Sequence, residues 1–156
     1  MIKVAFIGAG YMTTEHAKAF ADIKNVLLCG IYSRTRSRAE ALAANYSGLI
    51  CCDSISELYK TCRPDIVVIS VPELSVRFIC EEAFQYPWTC LVEKPAGYNY
   101  EDAEAICGSA EKQNTNVYVA LNRRHYSSTR NVLTEMAAIE GKRLIHVYDQ
   151  ENPKAA

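Results

Sequence analysis

Ile7, Gly8, Ala9, Gly10, Tyr11, Met12 and Thr13 run consecutively, after a buried-looking apolar run and before a stretch with helical spacing. Two glycines one residue apart suit the binding of a phosphate-bearing ligand. Gly8 permits a tight turn, and Gly10 lets a pyrophosphate approach the backbone where free N–H groups and the helix dipole favour an anion. Thr13 stands where the third glycine of the G-x-G-x-x-G fingerprint is usual, so a hydroxyl and a methyl must fit between helix and strand. The alternative is an ordinary tight turn; placement after the first strand of a βαβ pattern favours a dinucleotide. At the end of the second apolar run an acidic residue would hold the ribose hydroxyls of NAD. The chain has Tyr32, Ser33 and Arg34 there, with Arg36 and Arg38 close by. Ser33 and Arg34 suit a 2′-phosphate, and no carboxylate repels it, so NADP(H) is favoured over NAD(H). The competing reading is a solvated basic helix start.

Lys94 follows the fifth apolar run, at the end of the strand where doubly wound folds bind ligands. A positive nicotinamide and partial burial would both lower a lysine pKa toward the range of acid–base work. An exposed lysine before the turn residue Pro95 is the plain alternative. Asn122, Arg123, Arg124, His125 and Tyr126 follow the sixth run, as a set that orients substrate oxygens or as a solvated loop. His16 reads as a packed or capped histidine on the first helix, and His146 as an alternating strand residue. The seven cysteines include no C-x-x-C, and their odd number suits thiols in a reducing, cytoplasmic compartment. Cys51 and Cys52 are neighbours whose side chains diverge on a strand, so no metal site is expected.

These residues need a scaffold, and the hydropathy pattern describes one. Apolar runs at 2–7, 26–31, 66–71, 90–92 and 117–121 are nearly continuous, as in strands buried on both faces; 49–52 is a weaker candidate. Between them, Ala39, Leu42, Ala43 and Tyr46 repeat at helical spacing, as do Val76, Ile79, Cys80 and Ala83, and Ala103, Ile106, Cys107 and Ala110. Ser54 and Glu57 form a capping box. This alternation predicts an α/β fold with a doubly wound parallel sheet in a three-layer αβα arrangement. A helix at about 127–139 and a strand at 143–149 follow as a short extension. With 49% hydrophobic and 22% charged residues and a net charge of -1, the 156-residue chain is neither disordered nor basic enough for nucleic acid. No apolar stretch reaches the about 20 residues of a membrane span.

The glycine turn with His16, the Ser33–Arg34 pair, Pro72 after the fourth strand, and Glu93, Lys94 and Pro95 after the fifth together resemble the Gfo/Idh/MocA oxidoreductases. Asn122, Arg123 and Arg124 also look like that family. The resemblance implies a Rossmann-like NAD(P)-binding domain over 1–121. Residues 122–156 would then be the linking helix and first strand of a C-terminal substrate domain. It implies hydride transfer between NADP or NAD and a sugar, sugar derivative or cyclitol, with Lys94 as the proton-transfer residue. The cofactor would lie against Gly8, Gly10, Tyr11, Met12, Ser33, Arg34, Arg38, Val71, Pro72, Glu93, Lys94 and Asn122, and the substrate against Arg123, Arg124 and His125. The Lys94–Pro95 bond is a candidate cis peptide. Glu73 and Val76 depart from the Asn and His usual after the proline. A 156-residue chain alone is expected to be inactive, and a non-catalytic dinucleotide-binding or sensing module is the alternative. Homo-oligomers are expected, with the last strand either pairing with its copy or extending as a tail.

Overall fold

A computed structural model describes residues 1–142, 144 and 146. Six strands form one parallel sheet: β1 (Ile2–Ile7), β2 (Val26–Tyr32), β3 (Ile50–Cys52), β4 (Ile66–Ile69), β5 (Thr89–Val92) and β6 (Val117–Val119). The order β3-β2-β1-β4-β5-β6 makes the chain reverse direction across the sheet between β1 and β4. Every pairing is parallel, with Ile7 opposite Tyr32 on one side and Ile69 on the other. The crossovers are α1 (Tyr11–Ala21), α2 (Arg36–Ala43), α3 (Ile55–Cys62), α4 (Glu73–Ala83) and α5 (Tyr100–Gln113).

The continuous apolar runs follow from helices covering both faces. Along β1, Val4 and Phe6 face a core built with Ala17, Ala39 and Leu42 of α1 and α2. Ala5 and Ile7 face the opposite core, with Leu58, Val76, Cys80 and Ile106 of α3, α4 and α5. A strand buried on both sides has no polar face to alternate with. The Ser54 hydroxyl accepts the Glu57 N–H at 3.0 Å and caps α3, as the spacing predicts. The Glu57 carboxylate reaches back one residue further than in the usual box, to the Asp53 N–H at 2.6 Å. Cys29 is an extra residue in β2: the register passes from Val4–Leu28 to Ala5–Gly30.

Two runs are shorter than their hydropathy predicts. The fourth strand ends at Ile69; the Ser70 N–H still donates to the Ile7 carbonyl at 2.8 Å, and Ser70 and Val71 line a cleft. The sixth strand ends at Val119, and as an edge with one neighbour it leaves Tyr118 63% exposed.

The chain divides into a unit of residues 1–121 and a second of residues 122–156. In the second, Asn122–His125 form a 3-10 turn and Ser127–Ala137 form α6, ending two residues before the predicted limit. The Thr129 hydroxyl donates to the Arg123 carbonyl at 3.0 Å and ties turn to helix. Of the expected strand at 143–149, only Leu144 and His146 fall within the described residues. No described helix is long and apolar enough to cross a membrane.

Candidate functional site

The carboxyl ends of β1, β2, β4 and β5 open into a cleft of about 390 Å³ at the point where the strand order reverses. Ligands of open α/β sheets bind at such a point. Its floor is the turn between β1 and α1. Gly8 has φ +111°, its N–H donates to the Tyr32 carbonyl at 2.8 Å, and a Cβ there would lie 2.0 Å from the Ser70 carbonyl oxygen. Only glycine fits. Gly10 is different: it is the N-terminal cap of α1 in extended backbone, and a Cβ there would meet nothing within 4 Å. The space above it is open, no side chain caps the helix, and its first turn carries no acidic residue. An anion there meets free N–H groups and the positive end of the dipole, with no acidic side chain in the first turn of the helix itself.

Thr13 is fully buried on α1, and its hydroxyl has no hydrogen-bond partner among the described residues. Its shape is accommodated where a glycine is usual, but its oxygen is not satisfied.

One wall comes from the end of β2. Ser33, Arg34 and Arg38 line the cleft. The Ser33 oxygen accepts the Thr35 N–H at 3.2 Å, which leaves its O–H to donate elsewhere. The three arginines are not equivalent. Arg36 is held by Glu40 at 2.8 Å and by Asp53, away from the cleft lining. Arg34 and Arg38 are exposed and pair with no carboxylate among the described residues.

The opposite wall comes from β4, α4 and β5. Val71 and Pro72 line it, together with Ser75 and Ile79, one turn apart on α4. Sequence reasoning places Ile79 in a buried stripe and does not single out Ser75. Glu93 and Lys94 complete the wall. The Glu93 side chain is nearly buried, and its two oxygens are held by His16 at 2.7 Å and by the Lys94 N–H at 3.0 Å. Lys94 is exposed, has no ion-pair partner among the described residues, and precedes a cis peptide to Pro95. The cleft thus gathers Gly8, Gly10, Tyr11, Met12, Ser33, Arg34, Arg38, Val71, Pro72, Glu93 and Lys94. Asn122, Arg123, Arg124 and His125 belong to the 3-10 turn of the second unit.

The described residues contain no group of three His, Cys, Asp or Glu side chains placed to hold a metal ion. Cys80 and Cys90 are buried, which pushes their thiols up to about 12 and keeps them protonated at neutral pH.

Comparison with known proteins agrees with this geometry. Residues 2–121 match the profile of the Gfo/Idh/MocA oxidoreductases, described as an NAD-binding Rossmann fold. Glucose-6-phosphate 3-dehydrogenase of Bacillus subtilis is 26% identical over 136 residues, which are 87% of this chain and 38% of that protein. UDP-N-acetylglucosamine 3-dehydrogenase of Acidithiobacillus ferrooxidans is 30% identical over 112 residues, 72% of this chain and 34% of its own. The solved structure of that enzyme superposes with a TM-score of 0.77 and 25% identity, over 86% of this chain and 43% of the other. A scyllo-inositol 2-dehydrogenase (NADP(+)) of Bacillus subtilis is 26% identical over 111 residues, 71% of this chain and 34% of its own. The chain spans about a third of the length of these curated relatives.

Proposed function

The chain belongs to the Gfo/Idh/MocA oxidoreductase family and carries its NAD-binding Rossmann domain, and from that premise we propose a role in hydride transfer to or from a sugar, sugar derivative or cyclitol. The open space at Gly10, in front of the uncapped N-terminus of α1, carries this reading. A Cβ there would meet nothing within 4 Å, yet the position is a glycine, as expected where a pyrophosphate needs the room. The bound dinucleotide supplies the hydride acceptor or donor.

The chain's own residues divide the remaining work. Gly8 sets the turn, and the N–H groups of α1 hold the pyrophosphate. The Ser33 hydroxyl and the Arg34 guanidinium, which pairs with no carboxylate among the described residues, favour a 2′-phosphate, so NADP(H) is the preferred cofactor. Lys94 exchanges a proton with the reacting hydroxyl: it stands at the carboxyl end of β5, in the same cleft, exposed and with no ion-pair partner among the described residues. The sugar and cyclitol substrate class is drawn from the names of the relatives. Calorimetric titration with NADPH and NADH tests the proposal. Binding of NADPH more tightly than NADH is expected; binding of neither overturns it.

A further inference from the structure

We propose that His16 is a positioning residue for Lys94, acting through the Glu93 carboxylate; the inference rests on the reading that this cleft takes a nicotinamide dinucleotide. His16 lies on α1, in the turn after the one that meets the pyrophosphate, and is 77 residues from Glu93 in sequence. Its Nε2 lies 2.7 Å from Glu93 Oε1, with side-chain exposures of 17% and 10%. Glu93 Oε2 accepts the Lys94 N–H at 3.0 Å, and the Glu93 N–H donates to the Ile69 carbonyl at 2.9 Å.

A carboxylate so far out of water must have its oxygens filled by donors, and each oxygen here has one. One donor comes from the phosphate-binding helix and the other from the backbone that carries Lys94. His16 is not among the residues lining the cleft, whereas Glu93 and Lys94 are. Its ring therefore acts on the reaction through Glu93. The contact spans the reversal point of the sheet and couples the element that holds the pyrophosphate to the one that presents the lysine. To donate to Glu93, the ring must carry its proton on Nε2.

The test uses the 15N-labelled chain with two variants, H16L, which removes the donor, and H16Q, which replaces it with an amide N–H. In H16L the Lys94 amide should exchange with solvent at least ~tenfold faster, while Val67 and Val68 in β4 keep their protection. NADPH affinity should fall ~tenfold in the same variant. H16Q should recover most of both, which a purely packing role for the ring would not produce. An unchanged Lys94 amide in H16L, or no recovery in H16Q, overturns the proposal. A measurement needing no variant guards against misfolding: the long-range 1H–15N spectrum of the wild-type chain should show His16 protonated on Nε2. A ring protonated on Nδ1 alone overturns the proposal. If the Lys94 amide responds as expected but wild type binds neither nucleotide, the dinucleotide reading fails and the His16 contact stands. If nucleotide binds and the amide does not respond, this inference alone fails.

Discussion

Gly8 and Gly10 are two residues apart and look alike in sequence, yet the structure predicts opposite consequences for filling them. At Gly8 a Cβ would stand 2.0 Å from the Ser70 carbonyl oxygen, a backbone atom, and φ is +111°. Gly8→Ala therefore combines left-handed strain with a steric overlap that only movement of the backbone at Ser70, just after β4, relieves. Each effect costs about 1–3 kcal/mol, so a loss of about 2–6 kcal/mol is expected. That is a large part of the stability of a domain this size. At Gly10 a Cβ meets nothing within 4 Å, and φ is -93°, which any residue adopts. Gly10→Val replaces one N-terminal cap residue with a poorer one, at a cost of about 1 kcal/mol or less. It also places a branched side chain where the pyrophosphate must lie, so nucleotide affinity should fall at least ~tenfold, or ~1.4 kcal/mol. Urea denaturation and calorimetric titration of the two variants separate the effects. A Gly10→Val protein that binds NADPH as tightly as wild type would refute the pyrophosphate site. A Gly8→Ala protein of wild-type stability would refute the geometry of the turn.

Three further outcomes are expected. Thr13→Val keeps the buried shape and removes the unpartnered hydroxyl, so the urea midpoint should rise, by about 1 kcal/mol of stability, with nucleotide affinity unchanged; a fall would show that the hydroxyl has a partner. Arg34→Ala and Ser33→Asp should each weaken NADPH more than NADH in calorimetric titrations, the first by removing a phosphate partner and the second by adding a repelling charge; equal weakening would show that neither residue reads the 2′-phosphate. Cys80 and Cys90 ionise near 12 in the fold against 9.0 for a thiol in water, so the stability they contribute is complete below pH 9.0 and is lost as pH rises toward 12. The loss should reach about 1 kcal/mol per thiol per pH unit, and urea midpoints between pH 8 and pH 11 should fall less steeply in a Cys80→Ala/Cys90→Ala double variant.

The fold was legible where burial is symmetrical. The strands β1, β2, β4 and β5 are covered by helices on both faces, and their sequences carry that fact as unbroken apolar runs. Legibility fails at the edges. β3 and β6 each have one neighbour, and only three residues of each pair with it, so a run such as 117–121 overstates the strand. The fourth run also overstates its strand, for a different reason. Val71 lies beyond the strand, where it packs against the core on one side and lines the cleft on the other. Hydropathy records removal from water and does not distinguish a partner strand from packing against the core beyond the strand's end.

The site divides along the same line between local and distant causes. The places of the glycine turn, Ser33, Arg34, Pro72 and Lys94 in the cleft are readable because each follows from position at a strand end. Arg36 is half readable: Glu40, one turn on, is a partner that Arg34 and Arg38 lack and that spacing alone reveals, whereas Asp53, 17 residues on, is not, and the two hold Arg36 off the cleft lining. His16 is the sharper case. Helical spacing says which side of α1 a residue faces, and strand position says that Glu93 ends β5. Neither says that α1 and the end of β5 meet, because that contact depends on β1 and β5 lying on either side of β4 in the sheet. A parallel sheet that reverses direction at β1 and β4 brings helix α1 over the ends of strands far along the chain. It is this crossing that turns a histidine read from its helix alone as packed or capped into the partner of a buried carboxylate.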